Sequence, residues 1–227
     1  MSASNGQRPA TVLDLGVGNL GNLCRALAQV GAAPLITRDP AVVREARCLL
    51  LPGVGAFRPP REALRGPLEA ALRAALAGGA YLLGVCVGFQ LLFEQGEEFG
   101  VTDGLGLLAG RVTRLPVKVT LPHIGWNRLT GLAGHPLLAG LAEGTSVYFV
   151  HSYAAEGAPP DEVLAWVRHG RTFPALAGAG RVFGTQFHPE KSGRPGLALL
   201  GNFLEMAYGD PAGDRPAPGQ RGAAAPG

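Results

Sequence analysis

Up to residue 90 the chain alternates short apolar runs with longer stretches of helical spacing, an order that few architectures accept. TVLDL (11–15), PLIT (34–37), CLLL (48–51) and YLLGV (81–85) read as strands. Between the first two, Leu20, Leu23, Leu27 and Val30 recur at helical spacing, and Gly31 stands where that helix would stop. Leu64, Leu68, Leu72 and Leu76 form a stripe at every fourth residue, with Pro67 a candidate for the helix's true first turn. Strands apolar on both faces, alternating with helices, imply a parallel sheet covered on both sides. The expected fold class is therefore α/β, an open and mostly parallel sheet with helices on both faces.

After Gly100 the pattern changes. GRVTRL, HIGWNRL, SVYFVHSY, EVLAWV and RVFGTQF are short strand-like runs separated by turn residues, which suggests a mixed or antiparallel extension. GLALLGNFLEMAY, after Pro195, reads as a closing helix. Residues 209–227 are rich in Gly, Pro and Ala without apolar periodicity and are expected to be a disordered tail. Residues 1–9 are expected to be flexible, leaving 10–208 as one domain, a size that suits a single α/β unit.

Composition excludes several functions. Basic residues are scattered and the formal net charge is only +3, without a concentrated basic face or an aromatic ladder, so nucleic acid is not expected as a partner. No apolar run would span a bilayer, and MSASNGQRPA lacks the pattern of a secretory signal. Three cysteines, odd in number and with no C-x-x-C pair, argue against a disulfide framework or a structural zinc. The expectation is a cytoplasmic protein with no metal and no cofactor.

One cysteine is placed differently from the others. GVCVGFQ (84–90) sets Cys86 between Gly84 and Gly88, after a buried strand and before a helical run, FQLLFE. A strand, then G-x-C-x-G, then a helix is the thiol form of the nucleophile elbow, in which the glycines allow a sharp turn and keep side chains clear. The helix N-terminus would favour the attacking thiolate. Cys24, on the apolar face of a helix, and Cys48, inside an apolar strand, read as inert core residues.

A thiolate nucleophile needs a base that can also protonate a leaving group. His135 and His169 sit in polar or loop segments and read as solvated; His123 and His151 lie in strand-like runs and read as structural. His188 ends VFGTQF and is followed by Pro189 and Glu190, a carboxylate able to orient the imidazole as the third member of a triad. H-P-E alone is a weak pattern and could be a surface turn; beside the cysteine elbow it becomes specific. The amide of Val87 is a candidate oxyanion donor, and LPGVGAF (51–57) supplies further flexible backbone at another strand end. A phosphate cradle is the poorer reading, because neither G-x-G-x-x-G nor a P-loop Lys-Ser/Thr is present.

In order, PGVG (52–55), GVCVGFQ and HPE (188–190) resemble the class I, or triad-type, glutamine amidotransferases over residues 11–208. The resemblance implies that family's flavodoxin-like fold, with Cys86, His188 and Glu190 as catalytic residues and the amides of Val54 and Val87 as oxyanion donors. It also implies a glutamine pocket from Gly53, Gly55, Gln90, Glu98, His151, Ser152 and Tyr153, with Glu98 as the acid facing the substrate ammonium. DLGVGNLGNL, PHIGWN, YFVHSY and GTQFHPEKSG are similar to the glutaminase subunits of imidazole glycerol phosphate synthase. Phe89, Ile124 and Tyr81 depart from that pattern without touching the triad.

For such a subunit the implied partner is a (β/α)8-barrel cyclase, forming a heterodimer that serves histidine biosynthesis, with Asn19, Asn22, Trp126 and Lys191 near the interface. A tryptophan exposed beside a strand end would suit an anchor there, although a core aromatic fits the sequence equally well. Two other enzyme readings stay open: an amidotransferase subunit serving anthranilate or pyridoxal phosphate synthesis, and a stand-alone thiol peptidase. A non-catalytic binding module is disfavoured by the complete triad.

Overall fold

A computed structural model describes residues 8–116 and 118–209. The elements run β1 (Arg8–Leu13), α1 (Leu20–Gln29), β2 (Ala32–Thr37), α2 (Pro40–Arg44), β3 (Cys48–Gly53), α3 (Arg58–Leu64), α4 (Pro67–Ala77), β4 (Tyr81–Cys86) and α5 (Val87–Gln90). There follow β5 (Gln95–Gly96), β6 (Thr102–Asp103), β7 (Arg111–Arg114), β8 (His123–Arg128), β9 (Ser146–His151) and β10 (Tyr153–Glu156). The chain ends with β11 (Val163–His169), β12 (Arg171–Ala179), β13 (Val182–Thr185) and α6 (Gly193–Tyr208).

The main sheet has the order β11-β12-β13-β4-β3-β1-β2. From β13 to β2 all neighbours are parallel, while β11, β12 and β13 pair antiparallel. Consecutive residues Leu49, Leu50 and Leu51 of β3 are all fully buried, so both faces of the sheet are covered there. α1 turns Leu23, Ala26 and Leu27 inward and packs with α6, which buries Leu199, Leu200, Phe203 and Leu204. α4 buries Leu68, Ala71, Leu72 and Ala75 and packs with α2. The sheet therefore matches the α/β expectation.

Several local expectations need correction. The leucine stripe is two helices, because Gly66 at φ 78° breaks it and Pro67 begins α4. The first strand starts at Arg8, which pairs with Ala32, so Arg8 and Pro9 belong to the sheet. The segment after Gly100 divides into three parts: β11 to β13 extend the main sheet, β10, β7 and β6 join the earlier β5 in a second sheet of order β10-β7-β5-β6, and β8 pairs with β9. The helix after Cys86 is a single turn: the Leu91 amide still reaches Val87, but from Leu92 onward the backbone closes shorter bonds, Leu92 to Phe89 and Phe93 to Gln90. Little helix dipole therefore acts at the sulfur. No helix among the described residues is long and apolar enough to cross a membrane. The expected flexible start up to residue 7 and the tail from residue 210 lie outside the described residues.

Candidate active site

The site sits at the carboxyl ends of three adjacent strands. Register places Gly53 of β3 opposite Cys86 of β4, so the residues that follow, Val54 and Val87, leave the sheet side by side. On the other side Thr185 of β13 pairs with Val85, which brings the segment leading to His188 beside the elbow. Sheet ends of this kind collect catalytic groups because the loops there are free of ladder constraints.

The elbow's glycines are required by close approach. A Cβ on Gly88 would lie 1.6 Å from the carbonyl oxygen of Leu51, and one on Gly84 would lie 2.7 Å from that of Gly88. Between them Cys86 takes φ 56°, ψ −108°, a strained conformation for a residue with a side chain. Its sulfur lies 3.9 Å from the carbonyl oxygen of Val150 and 3.9 Å from Nε2 of Gln186. Cys48 is buried in β3, where desolvation pushes its thiol up to about 12, and burial also raises Cys24.

His188 and Glu190 are tied together, with His188 Nδ1 2.8 Å from Glu190 Oε1 and both side chains almost fully buried. The turn that joins them is fixed by Ser192, whose hydroxyl donates to the carbonyl of His188 at 2.6 Å and accepts from the amide of Tyr148 at 3.0 Å. Burial opposes the imidazolium, but the sulfur of Cys86 and the carboxylate of Glu190 outweigh it and push His188 up to about 10. His188 Nε2 has no closed hydrogen bond, so the influence of the sulfur crosses a gap and belongs to the pair as a unit. A histidine kept charged in this way is equipped to protonate a leaving amine.

A cavity of about 340 Å³ collects most of the residues expected from the sequence: Val54, Gly55, Cys86, Val87, Gln90 and Glu98, with His151, Ser152, Tyr153 and His188 completing the wall. Gly53 lies beneath it, where a Cβ would meet the amide nitrogen of Gly88 at 2.9 Å. Glu98 anchors the PGVG loop, since its Oε2 accepts from the amide of Phe57 at 2.9 Å. The Gln90 amide donates to the Tyr153 carbonyl at 2.9 Å and to Gln186 Oε1 at 3.1 Å. Gln186 was not expected as a site residue. Its signal was a lone amide inside the apolar run VFGTQF, fully buried here between Gln90 and Cys86. Pro122 and Val150 also line the cavity.

His123 and His151 are buried, as a structural reading expects. His135 and His169 are not simply solvated: His135 caps a turn by accepting from the amide of Leu137 at 3.1 Å, and His169 reaches the Thr120 carbonyl at 2.9 Å. Trp126 is 60% exposed, which removes the core-aromatic reading. Its ring meets Tyr148 edge-on at 6.0 Å, and Lys191 Nζ lies over the same Tyr148 ring at 5.6 Å. Asn19 caps α1 by accepting from the amide of Asn22 at 3.2 Å, and Asn22 lines a smaller hollow with Pro189 and Glu190.

Comparison with known proteins agrees with this geometry. The model of the glutamine amidotransferase class-I family matches residues 11–207. The imidazole glycerol phosphate synthase subunit HisH of Symbiobacterium thermophilum is 48% identical over 196 residues, which cover 86% of this chain and 92% of that one. The subunits HisH of Salinibacter ruber and Geobacillus kaustophilus are 44% and 46% identical, covering 89% and 87% of this chain and 97% of each relative. A crystal structure of a glutamine amidotransferase superposes with TM-score 0.69 at 24% identity, over 88% of this chain and 98% of its own, a likeness of fold. An elbow cysteine facing a charged histidine, carried on this sheet and within these relatives, leads to one conclusion: the chain belongs to the class-I glutamine amidotransferase family, among the glutaminase subunits of imidazole glycerol phosphate synthase.

Proposed function

We propose that the cavity at the ends of β3, β4 and β13 binds glutamine with its side-chain amide at the Cys86 sulfur, and that the ammonia released passes to a (β/α)8-barrel cyclase partner. In this mechanism the thiol proton has already passed to His188, which is why that imidazole is charged, before sulfur attacks the amide carbon. The oxyanion that forms points toward the amides of Val87 and Val54, which start from paired strand ends. His188, held by Glu190, then returns the proton to the nitrogen, the C–N bond breaks, and ammonia leaves a thioester on Cys86. Water adds to that thioester with His188 as base, releasing glutamate and the free thiol. Glu98 on the cavity wall would face the substrate ammonium, and Gln90, His151, Ser152 and Tyr153 would shape the pocket.

The single observation that carries this reading is a strained, glycine-flanked cysteine sharing one cavity with a histidine whose far nitrogen is bonded to a carboxylate and whose near nitrogen is unpartnered. Exposure of Trp126, its contact with Tyr148, and Lys191 over the same ring support a docking face beside the site, with Asn19 and Asn22 next to it. Three free cysteines support a reducing, cytoplasmic setting.

The test is Cys86→Ala in complex with the cyclase. Glutamine-dependent synthesis should vanish while synthesis from added ammonium salt stays close to wild type. Equal loss of both would mean that Cys86 serves the complex in some other way.

A further inference from the structure

One stretch of the cavity wall is the place where the chain changes sheets. β9 pairs with β8 through His151, whereas β10 pairs with β7 beginning at Tyr153. Ser152 lies between the two ladders, and its carbonyl accepts from the amide of Leu115. His151, Ser152 and Tyr153 nevertheless all face the cavity. A corner of this kind needs side-chain bonds to keep its shape.

Those bonds form a chain whose proton positions follow from one fixed acceptor. Tyr153 O can only accept, and His151 Nδ1 lies 2.8 Å from it, so His151 carries its proton on Nδ1. A neutral His151 then presents Nε2 as an acceptor. His123 Nδ1 lies 3.1 Å from that atom and must be the donor. This leaves His123 Nε2 to accept, and the Asn127 amide stands 3.3 Å away, itself held by the carbonyl of Arg168 at 3.1 Å. Every ring nitrogen in the chain has a partner. Both imidazoles are buried, at 5% exposure for His123 and 7% for His151, with the His123 ring stacked between Phe149 at 4.8 Å and His169 at 4.0 Å. Burial lowers His123 to about 4 and His151 to about 3, which keeps both neutral and the proton order intact at neutral pH. At the far end, the same Tyr153 carbonyl accepts from Gln90, which links the corner to Gln186 and the sulfur.

We infer that His123, which does not line the cavity, is a positioning residue for glutamine binding: through its Nδ1–H bond to His151 it holds the His151–Tyr153 corner in the shape that receives the substrate. This rests on the reading of the cavity as the glutamine site. The role is distinct from catalysis, because His123 touches neither the sulfur nor the triad. Its expected signature is a change in KM with little change in kcat.

The experiment compares two substitutions in the full chain with its cyclase partner. His123→Phe keeps a flat ring for the stack but removes the donor, leaving His151 Nε2 buried and unpaired. The glutamine KM should rise about tenfold with kcat within about twofold of wild type. His123→Asn places an amide nitrogen near the position of Nδ1, restores the donor, and should bring KM back to within about threefold. Independently of activity, nitrogen chemical shifts of the wild-type chain without glutamine should show His123 and His151 both protonated on Nδ1. An unchanged KM in His123→Phe, a loss confined to kcat, a failure of Asn to rescue, or an Nε2–H tautomer at either histidine would overturn the inference. Failure of the cavity reading is distinguishable, because wild type itself would then hydrolyse no glutamine while the tautomers stayed as described.

Discussion

Gly88→Ala tests whether the elbow's shape, rather than its composition, makes Cys86 a nucleophile. The added Cβ would sit 1.6 Å from the Leu51 carbonyl oxygen and 2.6 Å from its carbon, where ordinary contact begins at 3.4 Å. Some backbone must therefore move by about 1.8 Å, the difference between the two oxygen distances. β3 cannot easily yield, since it is paired on one side to β1 and on the other to β4 over Cys48–Gly53. The elbow moves instead, carrying Cys86 and the Val87 amide away from His188. A displacement of about 1 Å at a reacting atom can cost about a hundredfold in rate, so kcat/KM for glutamine should fall at least that far. Overpacking should also remove about 1–3 kcal/mol of stability, lowering Tm by a few degrees to about 10 °C. The control is Gly140→Ala, at φ 81° with open space around its Cβ; strain there should lower Tm while leaving glutamine hydrolysis unchanged. The assay is glutamate release alongside thermal unfolding of each variant. A folded Gly88→Ala protein with activity within about fivefold of wild type would mean that the elbow absorbs the methyl group without displacing the sulfur.

Iodoacetamide at neutral pH should label Cys86 well before Cys24 or Cys48, because burial raises both of the latter and holds Cys48 near 12; equal labelling by peptide mapping would contradict the special environment of the elbow. The charged form of His188 contributes stability that is complete below 6.5, its ordinary value, and is lost as pH rises through about 10. Glu190→Gln removes one of the groups that raise it, so the urea midpoint should decline less steeply between those pH values than in wild type, and identical slopes would assign the alkaline loss to other groups.

The parallel half of the sheet was legible because its strands are short apolar runs, the central β3 and β4 buried on both faces, and the spacing between runs is filled by helices. The candidate triad was legible for a different reason: glycines beside a cysteine, and a carboxylate two residues from a histidine, are local patterns, whereas most of the cavity wall was named through the family resemblance. Contacts made across the chain were not legible. Gln186 joins the site through Gln90, 96 residues away, and its one local signal, a lone amide in an apolar run, says nothing of that partner. β12 was missed because Pro174 sits inside it. At that point β12 pairs only with β11, since its ladder to β13 begins at Leu176, so the missing N–H leaves no gap on the second side. The leucine stripe misled because its period runs unbroken through Gly66, where the backbone changes sign.

Cys86 ends β4 and His188 follows β13, two strands that lie side by side in the sheet although the chain between them makes the whole of β5 to β12. Parallel pairing of Val85 with Thr185 brings the two strand ends together, and Tyr148 of β9 fixes the turn beyond, its carbonyl accepting from the His188 amide and its own amide donating to Ser192. Change in the parts of that excursion remote from β9, such as the segments bearing Glu98 and Pro122, can therefore reshape the cavity wall without touching the bonds that hold the His188 turn. The scaffold thus divides labour along the chain: two neighbouring strand ends carry Cys86 and His188, while much of what lies between them in sequence shapes the cavity wall and the outward face.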